Sequence, residues 1–572
     1  MKNYSLIAAA VLLNFALVGC EKKDDNKNTL VTKKGSEATN TPAEFYGTNH
    51  EFAKEAVYFI VTDRFVDGDK SNNQEQQGGE WKTFDRPLVG ENGETANVGY
   101  LGGDLKGVLN NGQYISDMGF TAVWLTPILD NPDEAFSGGE PIEFGGAFKD
   151  GGKTGYHGYW ANNFYQIDEH YPSVGLGYKE YTEQMRHNFG LKSVFDIVAN
   201  HGSPSFSMPE DQPKFGELYD IQGNLVADHQ NLKPQALDPN NPLHQFFHST
   251  EDIMQLSNLD DRHPGLQDYL IKSYLYWIEQ GADAFRIDTI KHVPHAFWKL
   301  MSDKVRAEHP DFFMFAESYD FNPNFLAQHT LAKNGGISVL DFAGKQAIVN
   351  TFEDPESDYA QITSYLHLTH GPYVNPYELT TFYDNHDMPR MNTSDEGFID
   401  AHNWLFTSRG IPVVYQGSEM GFMRGKAEHQ GNRNYFGQDN IELAKSHKIQ
   451  KHLTRVANAR KSIPALQSGL QVNLEFSGHL AAFYRVLVKD GLSQTALVLL
   501  NKGDQEAIFN VQKYMQTGRW VSQLSDDTIN IADDYKKLDS TVSAHDVQIW
   551  LREGQITDAL LLTELQRLMD NK

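Results

Sequence analysis

Short apolar runs recur along the chain from residue 57 onward, and several end abruptly in a polar or charged pair. They cover 57–62 before Asp63-Arg64, 121–128, 194–199 before Asn200-His201, and 284–287 before Asp288. Four more cover 312–316 before Glu317, 338–342, 379–383 before Asp384, and 411–415 before Gln416. Helix-like stretches lie between several of them, such as 266–280 and 296–308. Continuous apolar runs read as strands buried on both faces, and alternation with helices implies a parallel sheet. Eight such units predict an α/β fold, a (β/α)8 TIM barrel, whose chemistry gathers at the C-terminal strand ends. An open doubly wound sheet is the competing arrangement, but the chain has no glycine-rich phosphate fingerprint.

The spacing of the runs is uneven. More than 80 residues separate the third run from the fourth, and one helix suffices to complete that unit. Residues 201–261, rich in Pro, Asn, Gln and His, are therefore expected to form an inserted domain B. The barrel occupies 51–200 and 262–465. Beyond Pro464 the pattern changes to alternating β-branched segments at 481–487, 495–500 and 547–551, which predicts an antiparallel β-domain over 466–551. A leucine-rich helical tail follows at 552–572.

Composition narrows the function. The 572 residues carry 49 Lys+Arg against 76 Asp+Glu, a net charge of −27. Such a chain lacks the positive field that nucleic-acid binding requires. Its 26 tyrosines and eight tryptophans suit neutral, hydroxyl-rich ligands. The single cysteine, Cys20, excludes an intrachain disulfide and a cysteine metal cluster. It closes a short apolar run at 6–18 that follows Lys2. That run is too short to span a bilayer comfortably, and no later stretch is apolar over ~18 residues. Leu17-Val18-Gly19-Cys20 resembles the bacterial lipoprotein cleavage box. The resemblance implies a signal peptide at 1–19, lipidation of Cys20, and a flexible tether over 20–50. The expected place is the bacterial cell envelope, at the outer membrane or periplasmic face, with the membrane as partner through the lipid.

Asp196, Asp288, Glu317 and Asp387 all fall at or near barrel strand ends, where they converge on one pocket. Clustered carboxylates are costly unless used or paired, and either metal binding or glycosidic chemistry uses them. Arg286 and Asp288 are two apart on one strand and point the same way. An adjacent guanidinium keeps Asp288 ionised, as a nucleophile requires. His201 and His386 can bond sugar hydroxyls. A second oxygen-rich cluster, Asp67-Gly68-Asp69-Lys70-Ser71-Asn72-Asn73, suits Ca2+ or a solvated polar turn.

Four stretches resemble the conserved regions of the α-amylase family, glycoside hydrolase family 13. They are Asp196-Ile197-Val198-Ala199-Asn200-His201, Gly281 through Arg286-Ile287-Asp288 to Lys291-His292, Phe315-Ala316-Glu317-Ser318, and Phe382-Tyr383-Asp384-Asn385-His386-Asp387. A fifth, Tyr156-His157-Gly158-Tyr159-Trp160, also matches. By that resemblance Asp288 is the nucleophile, Glu317 the general acid and base, and Asp387 the stabiliser of the transition state. Arg286 orients Asp288; His157, His201 and His386 bind the reacting glucose, and Tyr159 stacks on it. Trp160, Lys291 and His292 complete the expected substrate contacts. The 67–73 cluster, with Gly102 and Asp104, resembles the N-terminal calcium site of cyclodextrin glucanotransferases, which would use Asp67, Asp69, Asn72, Asn73, Gly102 and Asp104. The family's main calcium site would use Asn200, the His292 carbonyl and Asn258, an amide where the family carries an aspartate.

The resemblance implies a retaining hydrolase of α-1,4-glucans. The alternatives are a transglycosylase of cyclodextrin glucanotransferase type and a non-catalytic starch-binding surface lipoprotein. The last is disfavoured because all three catalytic carboxylates are present. Linear products are expected over cyclic ones. Transferases usually carry an aromatic at the position of His295 and alanine at that of Thr289, segment 251–255 has no aromatic, and the chain ends soon after one β-domain.

Overall fold

The computed structural model describes residues 43–369 and 371–572. The expected signal peptide, Cys20 and residues 21–42 lie outside the described residues. Each apolar run carries one strand: β1 (Val57–Ile60), β2 (Ala122–Leu125), β3 (Lys192–Ile197), β4 (Ala284–Ile287), β5 (Phe313–Ala316), β6 (Ser338–Val339), β7 (Thr380–Thr381) and β8 (Ile411–Tyr415). Their order in the sheet is β6-β5-β4-β3-β2-β1-β8-β7, with parallel neighbours throughout. A parallel bridge between Leu340 and Thr380, with Asp341 N donating to Thr380 O at 2.9 Å, joins β6 to β7 and brings the ring to closure.

The strands are apolar on both sides because both sides are covered. Val57, Phe59, Trp124, Val194, Phe313, Phe315, Val413 and Tyr415 fill the barrel interior. The alternate residues Tyr58, Ile60, Val123, Phe195, Phe285 and Met314 pack outward with the helical layer. The same alternation sends Asp196 inward two residues after Val194, and Arg286 inward two after Ala284. Asp196 and Arg286 put their charges at the C-terminal ends of these inner faces, while Lys192, on the same face of β3 at its N-terminal end, pairs with Glu55 at 2.7 Å.

Domain B departs from its expected limits. The hairpin of Glu217–Tyr219 and Leu225–Asp228 joins Asn163–Ile167 and Leu129–Asp130 in one four-stranded sheet. Two of those strands come from the β2–β3 connection, outside 201–261. The reason is local: Asn163 and Leu129 precede β3 in sequence but emerge from the same barrel end. His201–Pro204 pairs antiparallel with Leu256–Asn258 at the base of the insertion.

The C-terminal domain is a six-stranded sheet with an additional two-stranded pair. Its closing helix, Ala559–Asp570, buries Leu561, Leu565 and Leu568 in that domain's core. Arg485 fastens the domain to the barrel, donating to the carbonyls of Thr407 and Ser408 at 2.8 and 2.6 Å. Trp404 packs across the same junction against Phe476 and Phe483. The tether expected through residue 50 ends sooner, because Phe45 is buried and bridges to Val488. Among the described residues no helix is long and apolar enough to cross a membrane.

Candidate active site

Arg286 is completely buried at the C-terminal end of β4. Register places it level with Asp196 on β3 and Phe315 on β5. Its Nη1 lies 2.8 Å from Asp288 and 3.0 Å from Asp196, and its Nη2 lies 2.9 Å from Glu317. Nη1 also donates to the Tyr159 hydroxyl at 3.2 Å. Asp196 in turn accepts from Trp124 Nε1 and Tyr159 OH, both at 2.9 Å. One guanidinium therefore holds three carboxylates at a single level of the barrel mouth.

One cation cannot neutralise three anions in a buried site, so protons are retained. Burial raises the Glu317 carboxyl, and Asp288 and Asp387 add to the rise against the pull of Arg286; it reaches about 8. Burial lifts Asp196 to about 7 despite Arg286. The strand-to-loop turn keeps Glu317 close: Thr289, at φ +48°, donates its N–H to Glu317 Oε2 at 3.3 Å. A β-branched residue in the left-handed region is strained, and here the strain aims an amide at the Glu317 carboxyl.

Asp387 stands across the pocket, about a third of its side chain exposed, with His386 Nε2 at 3.3 Å. Its carboxyl is raised, by burial first, while Arg433 opposes. Arg433 pairs with Asp387, donates to His386 O at 3.0 Å, and meets Glu428 at 2.9 Å. Neither Arg433 nor Glu428 stood out in the sequence, since both sit in an irregular loop after β8. Only the convergence of all βα loops on one end could have suggested them.

The histidines form the rest of the pocket. His157 Nδ1 accepts from the Tyr159 N–H at 3.0 Å, which leaves Nε2 as its donor. Tyr159 stacks on His386 with centroids 5.5 Å apart. Burial lowers the pKa of His157, His201 and His386, so the rings are neutral. Both nitrogens of His386 and Nδ1 of His201 are buried with no hydrogen bond among the described residues. Buried orphans of this kind ask for a polar ligand.

One expected contact differs. Trp160 is not free to touch a ligand: it is buried against Phe136, Met208, Phe215 and Leu256, where it backs His157 at 4.9 Å. Lys291 is exposed and donates to Tyr319 O at 2.6 Å. His292 is turned to Asp252 at 3.1 Å. Tyr319 and Phe321, 43% and 41% exposed, put aromatic surface just after Glu317; their distance from any periodic pattern hid them.

The two candidate calcium sites are unlike. At the first, Oδ1 of Asp67, Asn72 and Asn73 are all buried acceptors without donors. Asp104 closes the cluster, receiving Asn72 Nδ2 at 3.3 Å and capping the helix Leu105–Asn110 through Gly107 N at 2.6 Å. Gly102, at φ +88°, lies so near that a Cβ would stand 2.7 Å from Asn73 Oδ1. Converging orphaned oxygens fit a hard cation. The Asp69 side chain is turned away, bonding Ser71 N at 3.1 Å and Ser71 Oγ at 2.6 Å. At the second site the amides of Asn200 and Asn258 donate to Asp252 and the Thr250 carbonyl at 2.8 and 2.9 Å. The Asp252 carboxylate ties Asn200 to His292, and no side-chain oxygen of Asn200 or Asn258 is a buried orphan. That donor set does not fit a calcium site as the first one does.

A family model described as alpha amylase, catalytic domain, matches residues 59–464. A cyclomaltodextrin glucanotransferase of Thermoanaerobacterium thermosulfurigenes is 28% identical over 528 residues, covering 87% of this chain and 68% of the relative. The enzyme of the same name from Bacillus licheniformis is 30% identical over 435 residues, covering 73% of this chain and 55% of the relative. The chain thus spans just over half to about two thirds of these curated relatives. Among solved structures, a cyclomaltodextrin glucanotransferase with a three-domain ABC distribution superposes with TM-score 0.69 at 25% identity, over 88% of this chain and 99% of that one. An Anoxybacillus alpha-amylase shares the fold with TM-score 0.67 at 23% identity, over 89% and 99%.

Replacing Arg286 tests the charge arrangement. Arg286→Gln leaves buried carboxylates without their cation, which should cost about 3–5 kcal/mol at neutral pH. Unpaired buried carboxyls have folded pKa values above their unfolded ones, so stability falls as pH rises. The variant's deficit in urea unfolding should be larger at pH 8 than at pH 5. A deficit that is small and independent of pH would contradict the arrangement.

Proposed function

The chain belongs to the α-amylase family, and from that premise we propose that it cleaves α-1,4-glucosidic bonds in starch, glycogen or maltooligosaccharides with retention at the anomeric carbon. The observation that carries this is the shared guanidinium, with Asp288 and Glu317 at 2.8 and 2.9 Å on its two terminal nitrogens. Retention needs the nucleophile and acid only ~5–5.5 Å apart. An ionised Asp288 attacks C1 of the glucose unit, and the C1–O bond breaks as Glu317 delivers its proton to the departing oxygen. Water then attacks C1 of the glycosyl–Asp288 ester, giving its proton to Glu317 and releasing the aspartate. Asp387, steadied by Arg433, stabilises the positive charge that develops on the ring. Neutral His157, His201 and His386 bond the sugar hydroxyls, and Tyr159 covers its face.

Calcium is proposed for the first site only. Asp67, Asn72, Asn73, Asp104 and the Gly102 carbonyl would hold it, and bound there it would cross-link the 67–73 turn to the helix after Asp104. In the bacterial cell envelope, at the outer membrane or periplasmic face, we propose that lipidated Cys20 anchors the enzyme.

A second reading has a specific observation behind it. Exposed Tyr319 and Phe321 can hold an acceptor sugar beside Glu317 and exclude water, which favours transfer. The names of the relatives point the same way. The three-domain glucanotransferase also removes domain number as an argument for hydrolysis.

The following outcomes are expected. Asp288→Asn should fold normally and lose several orders of magnitude in kcat/KM on soluble starch; a variant keeping a tenth of the activity would refute the nucleophile. Because Glu317 must be protonated to act as acid, kcat/KM should decline as pH rises through about 8. Chelation should lower the Tm of the wild type by removing a ligand of the native state, and Asp67→Ala should shrink that shift. Chromatography of early products from starch should show linear maltooligosaccharides ahead of cyclic ones; cyclodextrins appearing first would establish transfer. Cys20→Ser should move the protein out of the membrane fraction, and continued membrane association would exclude a lipid anchor at that residue.

A further inference from the structure

A second cavity, of about 540 Å3, opens between the segment after β1 and the segment after β2, at the catalytic end of the barrel. Small-ligand pockets have volumes of ~300–1,000 Å3. Trp81, 40% exposed, forms one wall with Phe84, and Lys82, Asp85 and Arg86 surround them. An indole face flanked by an ammonium, a carboxylate and a guanidinium suits a ligand with flat C–H faces and a hydroxyl rim.

The wall is built in advance. Trp81 N donates to Gly78 O at 2.7 Å, and Trp81 O accepts from Ala135 N at 2.8 Å. Gly78 has φ +84°, and a Cβ there would lie 2.2 Å from Trp81 O, so only glycine permits this turn. Arg86 Nε donates to Gly152 O at 2.7 Å and Nη1 to Lys82 O at 2.8 Å, binding the two segments together.

The cavity shares a wall with the active site. Phe136 lines it, packs on Trp160 at 6.2 Å, and Trp160 packs on His157 at 4.9 Å. Gly152, which also lines it, precedes Lys153, which is buried in an ion pair with Asp150 at 2.9 Å. A polymer seated at the catalytic carboxylates is thus held next to this groove. We propose that the groove binds a segment of α-glucan remote from the bond being cleaved, with Trp81 as its stacking platform. The proposal rests on the α-glucan reading above. Engaging one polymer at two places raises its effective concentration at the catalytic carboxylates, a gain unavailable to a short oligosaccharide.

The test uses Trp81→Ala and Trp81→Phe in the full chain, with Tm as the folding control. Amylopectin in a native gel should retard the wild type and Trp81→Phe, and retard Trp81→Ala markedly less. On amylopectin, kcat/KM of Trp81→Ala should fall about tenfold, mainly through KM, a loss equivalent to about 1.4 kcal/mol. On 4-nitrophenyl maltotrioside it should be unchanged. Unchanged retardation and KM on amylopectin in a folded Trp81→Ala would overturn the proposal, as would equal losses on both substrates. If the wild type cleaved neither substrate, the catalytic reading would fail, while gel retardation lost on Trp81→Ala would still support the groove.

Discussion

The arrangement at the barrel mouth depends on one buried guanidinium. Arg286 has no access to water and is surrounded by Asp196, Asp288 and Glu317, each within 3.0 Å of its terminal nitrogens. Alone in the barrel interior, the cation would carry a prohibitive desolvation cost, and so would the carboxylates. Together they are tolerable only in this geometry. The parallel register of β3, β4 and β5 sets that geometry, because it places three strand ends at one height.

The surplus of negative charge then does chemistry. Three carboxyls around one cation cannot all ionise, and Glu317, enclosed and facing two further aspartates, holds its proton to about 8. Asp288 has the shortest contact to the guanidinium. In the proposed mechanism this environment gives Glu317 the proton an acid needs and seats Asp288, the nucleophile, on the guanidinium. Arg433 and Glu428 repeat the device on the opposite side, where Arg433 offsets the burial of Asp387. The neutral histidines between the two clusters add donors and acceptors without adding charge.

Much of the barrel was legible because strands covered on both sides must be apolar without interruption. Even β6 and β7, with only two paired residues each, lay within recognisable runs. Residues on strand ends, such as Asp196, Arg286, Asp288 and Glu317, were legible for the same reason: the run announces the end. Side chains supplied by loops outside the five motif stretches were not. Arg433, Tyr319 and Asp252 follow no period, and their placement depends on which loops fold back over the mouth. Trp160 misled because a motif names a residue without saying which way its ring turns; four apolar neighbours claim it. Domain B misled because its sheet recruits strands from an earlier connection. At Asn258 the loss of a carboxylate was visible, but its counterpart, Asp252 reaching Asn200 and His292, required the folded chain.

The central claim is that Asp288 attacks and Glu317 donates from opposite arms of one guanidinium. Trapping the covalent intermediate tests it most directly. In Glu317→Gln, α-maltotriosyl fluoride supplies a leaving group that needs no acid, while hydrolysis of the intermediate lacks its base. Peptide mass spectrometry should then find one maltotriosyl unit on the peptide carrying Asp288, bound to that side chain. A glycosyl unit on any other residue, or release of the inverted anomer with no adduct, would contradict the account.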